Sequence, residues 1–289
     1  MNHIIGALWC GLLLLLPVGI EASRPVGIGG PTAGETLQYT VRYRGLLSVF
    51  LPVEIATATL SLQSAAETVD DEQLRRATLV VTTEPFPRME SLYSLRFSYD
   101  SWFDPALKYT TVVDMRKQTS DSRHELLWFN RSQGVVHSYR KVPQTGSSAP
   151  VLPGFLRQVS RLQPEEKFRE RAVLQLTGSD VLDRLAMLYA LRQRTLEAGE
   201  IVELAVSNGK DLLGYRVAVE AREPVVFDGN RIAALRLSFT PRFTSGGGRD
   251  YLVRVWLSDD ERRLPLRFHS SRFGGAIELN LERAVDAAG

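Results

Sequence analysis

Residues that could act in catalysis or metal binding are few and scattered in this chain. Beyond its N-terminal region it contains three histidines, His124, His137 and His269, with no two at helical spacing and none beside a cysteine. A zinc site needs three or four ligands that converge on the ion. The sequence therefore predicts no metal site, and no residue pattern in it indicates a cofactor.

Nucleophilic and acid–base centres have equally little support. The only cysteine is Cys10, and no serine stands in a Gly-x-Ser-x-Gly elbow. Two pairs of adjacent acids, Asp70–Asp71 and Asp259–Asp260, lie in segments typical of turns, where aspartate bonds its own backbone. On a strand, adjacent side chains point to opposite faces, so these pairs suit acid–base catalysis poorly. A hydrolase that assembles two distant carboxylates stays open as an alternative.

Aromatic side chains are the most suggestive group for binding. Brought together on a curved sheet they would line an apolar pocket, whereas close packing would make them an ordinary core. Arg192 follows an apolar stripe near a predicted helix end, where it would meet either a carboxylate of the sheet or a ligand headgroup. The candidate ligand-binding residues are Tyr39, Tyr43, Trp128, Tyr189, Arg192 and Trp256.

A charged turn near the C-terminus is a candidate contact surface. Arg262 and Arg263 could together bind an anionic partner. Alternatively they point to opposite faces, with one of them paired to Asp259 or Asp260, a kind of exposed pair that contributes only about 0–1 kcal/mol. The candidate surface-contact residues are Asp259, Asp260, Arg262 and Arg263.

The elements that must position these residues are mostly strands. Leu37, Tyr39, Val41 and Tyr43 alternate with polar residues, which is the period of a half-buried strand. Asn208–Gly209 and Asp228–Gly229 are typical of hairpin turns. Without strand–helix alternation, the pattern predicts an antiparallel sheet. The predicted strands occupy residues 37–43, 52–63, 77–83, 95–103, 108–117, 124–130, 135–142, 201–206, 212–220, 231–239, 251–257, 264–268 and 276–281.

Between the two groups of strands the composition changes. Residues 143–154 are rich in proline, glycine and serine and predict a connection, and residues 155–171 are charged and predicted to be partly helical. One helix is predicted at about 180–197, capped by Ser179 or Asp180 and followed by Gly199. Its apolar stripe consists of Leu182, Leu185, Leu188 and Tyr189.

The N-terminus has the pattern of a cleavable secretory signal over residues 1–22. Its apolar stretch, residues 4–20, is short for a membrane span, which needs about 20 apolar residues. No Lys or Arg precedes that stretch, so an uncleaved inner-membrane anchor is the alternative. We expect a periplasmic protein with a disordered start at residues 23–33 and a single β-rich domain at 34–285, which includes the linker and charged segment at 143–171.

Charge and cysteine content exclude some classes of protein. The chain has 35 Lys and Arg against 33 Asp and Glu, with no basic block, which disfavours nucleic-acid binding. Cleavage of the signal would remove Cys10 and leave no disulfide. A domain of this size can bury enough apolar surface without one.

Three segments carry a resemblance to a known family. They are Gly34-Glu35-Thr-Leu-Gln-Tyr39, the helical sequence at 180–192, and the final strands from 255 through the glycine pair 274–275 to 279. Together they resemble the exported, β-rich bacterial family named domain of unknown function 3108, over roughly 34–283. The resemblance implies a fold class and no activity. The Arg-Leu-Pro-Leu-Arg segment at 263–267, between an acidic turn and a final strand, is also similar to periplasmic lipoprotein-carrier half-barrels, in which a curved sheet wraps a helix and holds an acyl chain.

The predicted fold is mainly β, a curved antiparallel sheet or open half-barrel with one central helix on its concave face. We expect a non-enzymatic binder of a lipid or other apolar small molecule, or an envelope assembly factor with an envelope protein as partner, and no membrane span after signal cleavage. The alternatives are an interaction module with a packed barrel and the hydrolase with dispersed carboxylates. A large empty concavity would favour the first hypothesis, and a filled one would favour the interaction module.

Overall fold

The computed structural model describes residues 30–45, 48, 51–143, 152–242, 253–272 and 275–286. The predicted signal and most of the predicted disordered start lie outside the described residues, as does most of the predicted linker. No helix in the described ranges is both long and apolar enough to cross a membrane.

The described residues form fifteen strands and three short helices. The strands are β1 (Thr36–Gly45), β2 (Val53–Leu62), β3 (Glu67–Val69), β4 (Glu72–Thr82), β5 (Arg96–Phe103), β6 (Thr110–Gln118), β7 (Ser122–Asn130), β8 (Val135–Val142), β9 (Lys167–Gln175), β10 (Ile201–Ser207), β11 (Leu212–Phe227), β12 (Asn230–Arg242), β13 (Val253–Ser258), β14 (Pro265–Arg272) and β15 (Gly275–Val285). The helices are α1 (Pro87–Leu92), α2 (Gly154–Val159) and α3 (Arg184–Arg192).

All fifteen strands belong to one antiparallel sheet. Its order is β10-β11-β12-β13-β14-β15-β1-β2-β4-β5-β6-β7-β8-β9, with β3 paired to β4 alone. The first and last of the described strands are therefore neighbours near the middle of the sheet, where Thr36 lies opposite Val285. Strands β9 and β10 are the two edges, so pairing among the described strands does not close the sheet into a barrel.

The sheet curls strongly. Its register shifts by a residue in several strand pairs, including the pairs at Gln38/Tyr39, Val41/Arg42 and Trp256/Leu257. Each such bulge bends a strand and increases its twist. The result is a deep concave face that surrounds α3, so the predicted fold class is confirmed.

The predicted helix is shorter than expected, with bounds Arg184–Arg192 instead of about 180–197. The backbone preceding it is extended and bonds to strands on both sides. The carbonyl of Val181 accepts from the amide of Thr110 (3.0 Å), and the amide of Leu182 donates to the carbonyl of Ala205 (3.0 Å). Asp183, and neither of the two predicted residues, caps the helix. These bonds satisfy backbone groups that a longer helix would have used.

This extended segment also brings the edge strand β10 towards β6. It lies beside β10 in a parallel bridge between Leu182 and Val206 while Val181 bonds to the first residue of β6. At the tip of the β10–β11 hairpin, Gly209 packs against Leu127 of β7. The concavity is therefore nearly encircled although the sheet stays open.

The charged segment at 155–171 only partly matches its prediction. Its first residues form α2, but β9 starts within it at Lys167 and pairs with β8. Phe168 is the physical reason, because it is buried in a second apolar cluster between α2 and the convex side of the sheet. The alternation of exposed and covered side chains in β9 is the period of an edge strand.

The second cluster explains why β6 and β7 are buried on both faces. Val113 and Leu127 belong to the main core around α3, while Val112 and Leu126 belong to the cluster under α2. Along these two strands, charged and apolar residues therefore do not simply alternate between a solvent-exposed face and a buried face.

Both predicted hairpin turns are confirmed. The first, at Asn208–Gly209, joins β10 to β11, which pair in antiparallel register. The second joins β11 to β12, where Phe227 pairs with Asn230 across Asp228–Gly229 and both turn residues have positive φ.

Gly209 allows a test of the near-closure of the concavity. Its φ is +78°, and a Cβ there would overlap Cδ2 of the buried Leu127. Gly229 has a similar φ of +71°, but no heavy atom lies within 4 Å of the place that a Cβ would occupy. We expect both Gly→Ala variants to lose about 1 kcal/mol of stability from the strained backbone. Gly209→Ala should lose about 1–3 kcal/mol more from overpacking against Leu127. Urea unfolding measures the difference, and equal losses in the two variants would show that the hairpin tip does not pack on β7.

Candidate functional site

An apolar cavity lies between α3 and the concave face of the sheet. Its volume is about 110 Å³. Strands β1, β2, β4, β5 and β11–β15 line one side and the first half of α3 lines the other. The lining residues are Tyr39, Leu60, Leu79, Tyr99, Tyr215, Phe239, Val253, Val255, Phe268 and Leu279 from the strands, and Arg184, Leu185, Met187 and Leu188 from α3.

The period of the strands selects the lining residues. Val253 and Val255 lie on the concave face of β13, and the residue that follows them points to the other face. There the indole of Trp256 donates to Glu223 (2.6 Å) and the guanidinium of Arg267 lies over its ring. Along β13, aliphatic side chains thus face the cavity. On the opposite face, Trp256 contacts charged side chains.

Two of the tyrosine hydroxyls at the cavity wall are bonded to protein. Tyr39 Oη donates to the carbonyl of Pro265 (2.8 Å), and Tyr99 Oη donates to Asp183 Oδ1 (3.2 Å). Burial raises the pKa of both phenols well above the ordinary tyrosine value, so they stay protonated at neutral pH. None of the described residues that line the cavity carries a carboxylate or an imidazole. The wall therefore offers shape and apolar contact rather than acid–base chemistry.

Asp183 holds the start of α3 against the sheet. Its Oδ1 accepts from the amides of Leu185 (2.7 Å) and Ala186 (3.4 Å), as an N-cap does. Its Oδ2 accepts from the hydroxyls of Thr110 (2.7 Å) and Ser101. Together with the tyrosine hydroxyl bonded to Oδ1, these contacts occupy the acceptor sites of the carboxylate.

Arg184 is the one charged residue in the described part of the cavity wall. Its Nε and Nη2 atoms are shielded from solvent, and no acceptor in the described ranges lies within hydrogen-bond distance of them. The residue as a whole stays partly exposed. A cationic donor pair without an acceptor is unusual because buried polar groups are nearly always bonded.

The far end of α3 is fixed by a buried ion pair. Arg192 Nη1 and Nη2 bond to the two carboxylate oxygens of Glu35 at 2.7 and 2.9 Å, and the guanidinium also donates to the carbonyls of Arg262 and Arg263. Both charged side chains are almost completely buried. Burial opposes the charge of Arg192, but the bonds to Glu35 outweigh it and raise the arginine pKa. Of the two roles considered for Arg192, the structure shows the pairing with a carboxylate.

The structure does not bring the predicted aromatic residues together at one site. Tyr39 lines the cavity. Tyr43 and Trp256 contact residues of the main core, but neither lines the cavity, and Trp256 lies on the opposite face of β13. Tyr189 also lies inside the core, where burial raises its pKa well above the ordinary tyrosine value. Trp128 packs in the second cluster, on the other side of the sheet. Of the five predicted aromatic residues, Tyr39 is therefore the one that reaches the cavity wall.

Only part of the predicted contact surface is exposed to solvent. Asp259 and Arg263 are largely buried and pair with each other at 2.7 Å, because the turn folds back onto β12 and β14. Asp260 bonds the backbone amides of Arg262 and Arg263 (3.1 Å each), which is the turn role that adjacent aspartates suggest. Arg262 is partly exposed and pairs with Asp286. Through its backbone carbonyls this turn braces the C-terminal end of α3.

Most residues of the cavity wall cannot be identified as such from the sequence. Leu60, Leu79, Phe239 and Phe268 stand out only as apolar members of alternating strands, a signal that marks a buried face without distinguishing a cavity from a packed core. Arg184 carries no signal at all, because its distinctive feature is a missing partner. Among the described residues, no group of three or more His, Cys, Asp or Glu residues is arranged to hold a metal ion.

The ion pair between Arg192 and Glu35 predicts a specific pattern of stabilities. Arg192→Leu removes the bidentate partner of the buried Glu35 and leaves it, among the described residues, only a contact with Arg262 at 3.5 Å, and we expect a loss of about 3–5 kcal/mol in the free energy of unfolding. The double variant Arg192→Leu with Glu35→Leu removes both charges and should recover most of that loss. Chemical denaturation of the wild type, both single variants and the double variant gives the coupling energy. A double variant as unstable as Arg192→Leu would contradict the role of the pair.

Comparison with known proteins finds a matching family model and a solved structure with a similar fold. Residues 157–282 match the model of a family described as a protein of unknown function, DUF3108. This confirms the resemblance over α3 and the strands that follow it, while β1–β8 lie before the matched span. None of the curated proteins compared matches the sequence.

A solved structure extends the similarity to most of the chain. It is the crystal structure of a β-barrel-like protein of domain of unknown function DUF1849 from Brucella abortus. The two share 7% sequence identity, the alignment covers 89% of this chain and 99% of that chain, and the TM-score is 0.50. At that identity the likeness concerns the fold alone. This chain is thus similar to the DUF3108 family over residues 157–282 and has a barrel-like fold similar to that of the DUF1849 protein.

Proposed function

We propose that this protein is an exported, non-enzymatic binder of an apolar ligand, which it holds in the cavity between α3 and the concave face of the sheet. The observation that carries the proposal is the cavity itself. Its volume of about 110 Å³ is below the range of about 300–1,000 Å³ that is typical of small-molecule sites, so it would hold part of an apolar chain. Its wall is built almost entirely from aliphatic and aromatic side chains.

The energetics of packing support a ligand. Protein interiors are normally close-packed, since wall atoms that face a void lose dispersion contacts. An apolar chain placed in the cavity would restore those contacts, and each methylene that it buries contributes about 0.8 kcal/mol. The open concavity therefore favours binding over the alternative of an interaction module with a filled barrel.

The architecture keeps the cavity open without help from the ligand. Asp183 fixes one end of α3 and Arg192 fixes the other, so the helix is held by polar contacts at its ends. Between them, Leu185 and Leu188 face the cavity and do not reach across it. A site that is formed in advance loses little conformational entropy on binding. Export is proposed from the signal pattern at residues 1–22.

The direct test is native mass spectrometry of protein purified from the periplasm of its own organism, followed by organic extraction. We expect a bound apolar species in stoichiometric amount, with its mass recovered in the extract. A clean apo mass that does not change when lipids are added would contradict the proposal and favour the interaction module.

A cavity-filling variant tests where the ligand binds. Val255→Phe adds a larger side chain to the wall without loss of strand propensity. We expect it to weaken binding of the neutral fluorophore N-phenyl-1-naphthylamine at least tenfold, measured by fluorescence titration. The matched control is Val226→Phe on β11, where the side chain is 65% exposed and lies outside the cavity wall. An equal effect of both variants, or of neither, would contradict binding in this cavity.

A further inference from the structure

The orphaned donors of Arg184 define the polar end of the cavity. Arg184 is the first residue of α3, and its side chain lies in a wall that is otherwise apolar. Its Nε and Nη2 are buried without a hydrogen-bond partner in the described part of the chain. Neither atom is bonded to the adjacent Asp183, whose oxygens accept from five other donors.

The two free donors form one recognition edge. Nε–H and Nη2–H point in parallel along the same side of a planar guanidinium, which matches the two oxygens of a carboxylate. This chain uses that edge elsewhere. Arg116 donates from Nε (3.3 Å) and Nη2 (2.8 Å) to the two oxygens of Asp114. In Arg184 the same edge has no carboxylate partner among the described residues. The donor side of a bidentate pair is therefore present without its acceptor.

We infer that the ligand is a single-chain amphiphile with a carboxylate headgroup, such as a long-chain fatty acid, whose headgroup binds the Nε–Nη2 edge of Arg184 while part of its chain enters the cavity. This inference rests on the proposed function and specifies its ligand class. The described wall supplies one positive charge, which matches the single negative charge of a carboxylate. Both donor atoms are shielded from solvent in this conformation, so binding requires the partly exposed side chain to rotate on its flexible stem and turn the edge towards the headgroup.

The alternative explanation for Arg184 is a structural role. A structural arginine would be paired, as Arg192 is with Glu35. Buried charge that lacks a partner destabilises the apo protein. The two explanations therefore differ in the effect of removing the charge: loss of a structural arginine lowers thermal stability, whereas loss of a ligand-binding arginine leaves the stability of the apo protein unchanged or raises it.

The test compares two probes of equal chain length, palmitate and hexadecanol, on the delipidated full protein by isothermal titration calorimetry. In the wild type we expect palmitate to bind at least tenfold more tightly than hexadecanol. Arg184→Met should abolish this preference by weakening palmitate ten- to a hundredfold, with hexadecanol changed less than threefold. Arg231→Met is the matched control, since Arg231 is exposed at the β11–β12 turn, and both affinities should stay as in the wild type.

The outcomes separate this inference from the proposed function. If both probes bind the wild type with equal affinity, or Arg184→Met keeps the preference for palmitate, the carboxylate inference is overturned while apolar binding stands. If neither probe binds, both are overturned. The melting temperature of apo Arg184→Met gives the independent readout, and a clear decrease would assign Arg184 to structure. If Arg184→Met does not fold, two other measurements decide the inference. They are the affinities of palmitate and hexadecanol for the wild type, and the same affinities for Arg184→Lys, which keeps the positive charge but lacks the planar pair of donors.

Discussion

Asp183 connects parts of the molecule that are distant in sequence. Its carboxylate caps α3 and accepts hydrogen bonds from hydroxyl groups of β5 and β6. The backbone of the two residues before it bonds to β6 and β10. A buried carboxylate is stable only when its oxygens are bonded, so the five donors around Asp183 specify one position for the helix relative to the sheet. The buried pair between Arg192 and Glu35 does the same at the other end of α3. Polar contacts at its two ends position α3, and the space left between its first half and the strands is the cavity.

The polar and apolar parts of this arrangement have separate roles. The bonded tyrosines, Asp183 and Arg192 are satisfied by protein groups and maintain the shape of the concavity. Arg184 follows Asp183 directly in the chain, yet its Nε and Nη2 find no acceptor among the described residues. Asp183 thus anchors the helix with a fully bonded carboxylate, while the next residue carries a donor pair without an acceptor among the described residues.

The fold is more predictable from the sequence than the site is, for physical reasons. Period-two alternation and the turns at Asn208–Gly209 and Asp228–Gly229 are local signals, and they predict an antiparallel sheet with one internal helix. The start of α3 differs from its prediction because backbone bonds to β6 and β10 compete with helix formation in the two residues before Asp183. Strand β9 escapes prediction because Phe168 is buried only through its contact with distant residues. The cavity depends on the distance between opposing side chains, and a missing partner such as that of Arg184 leaves no trace in sequence.

The pairing of β1 with β15 has a consequence for how the chain acquires its structure. The middle of the sheet is made by the two described strands that are farthest apart in sequence, with Thr36 opposite Val285. The contact order of that pairing is therefore close to the maximum for this chain, and the entropy of closing so long a loop must be overcome before the contacts form. A chain synthesised from its N-terminus can pair β1 with β2 early, but the other edge of β1 stays unpaired until β15 has formed. The central seam of the sheet is thus the last to close, and the cavity beside it is completed only when the whole chain is present.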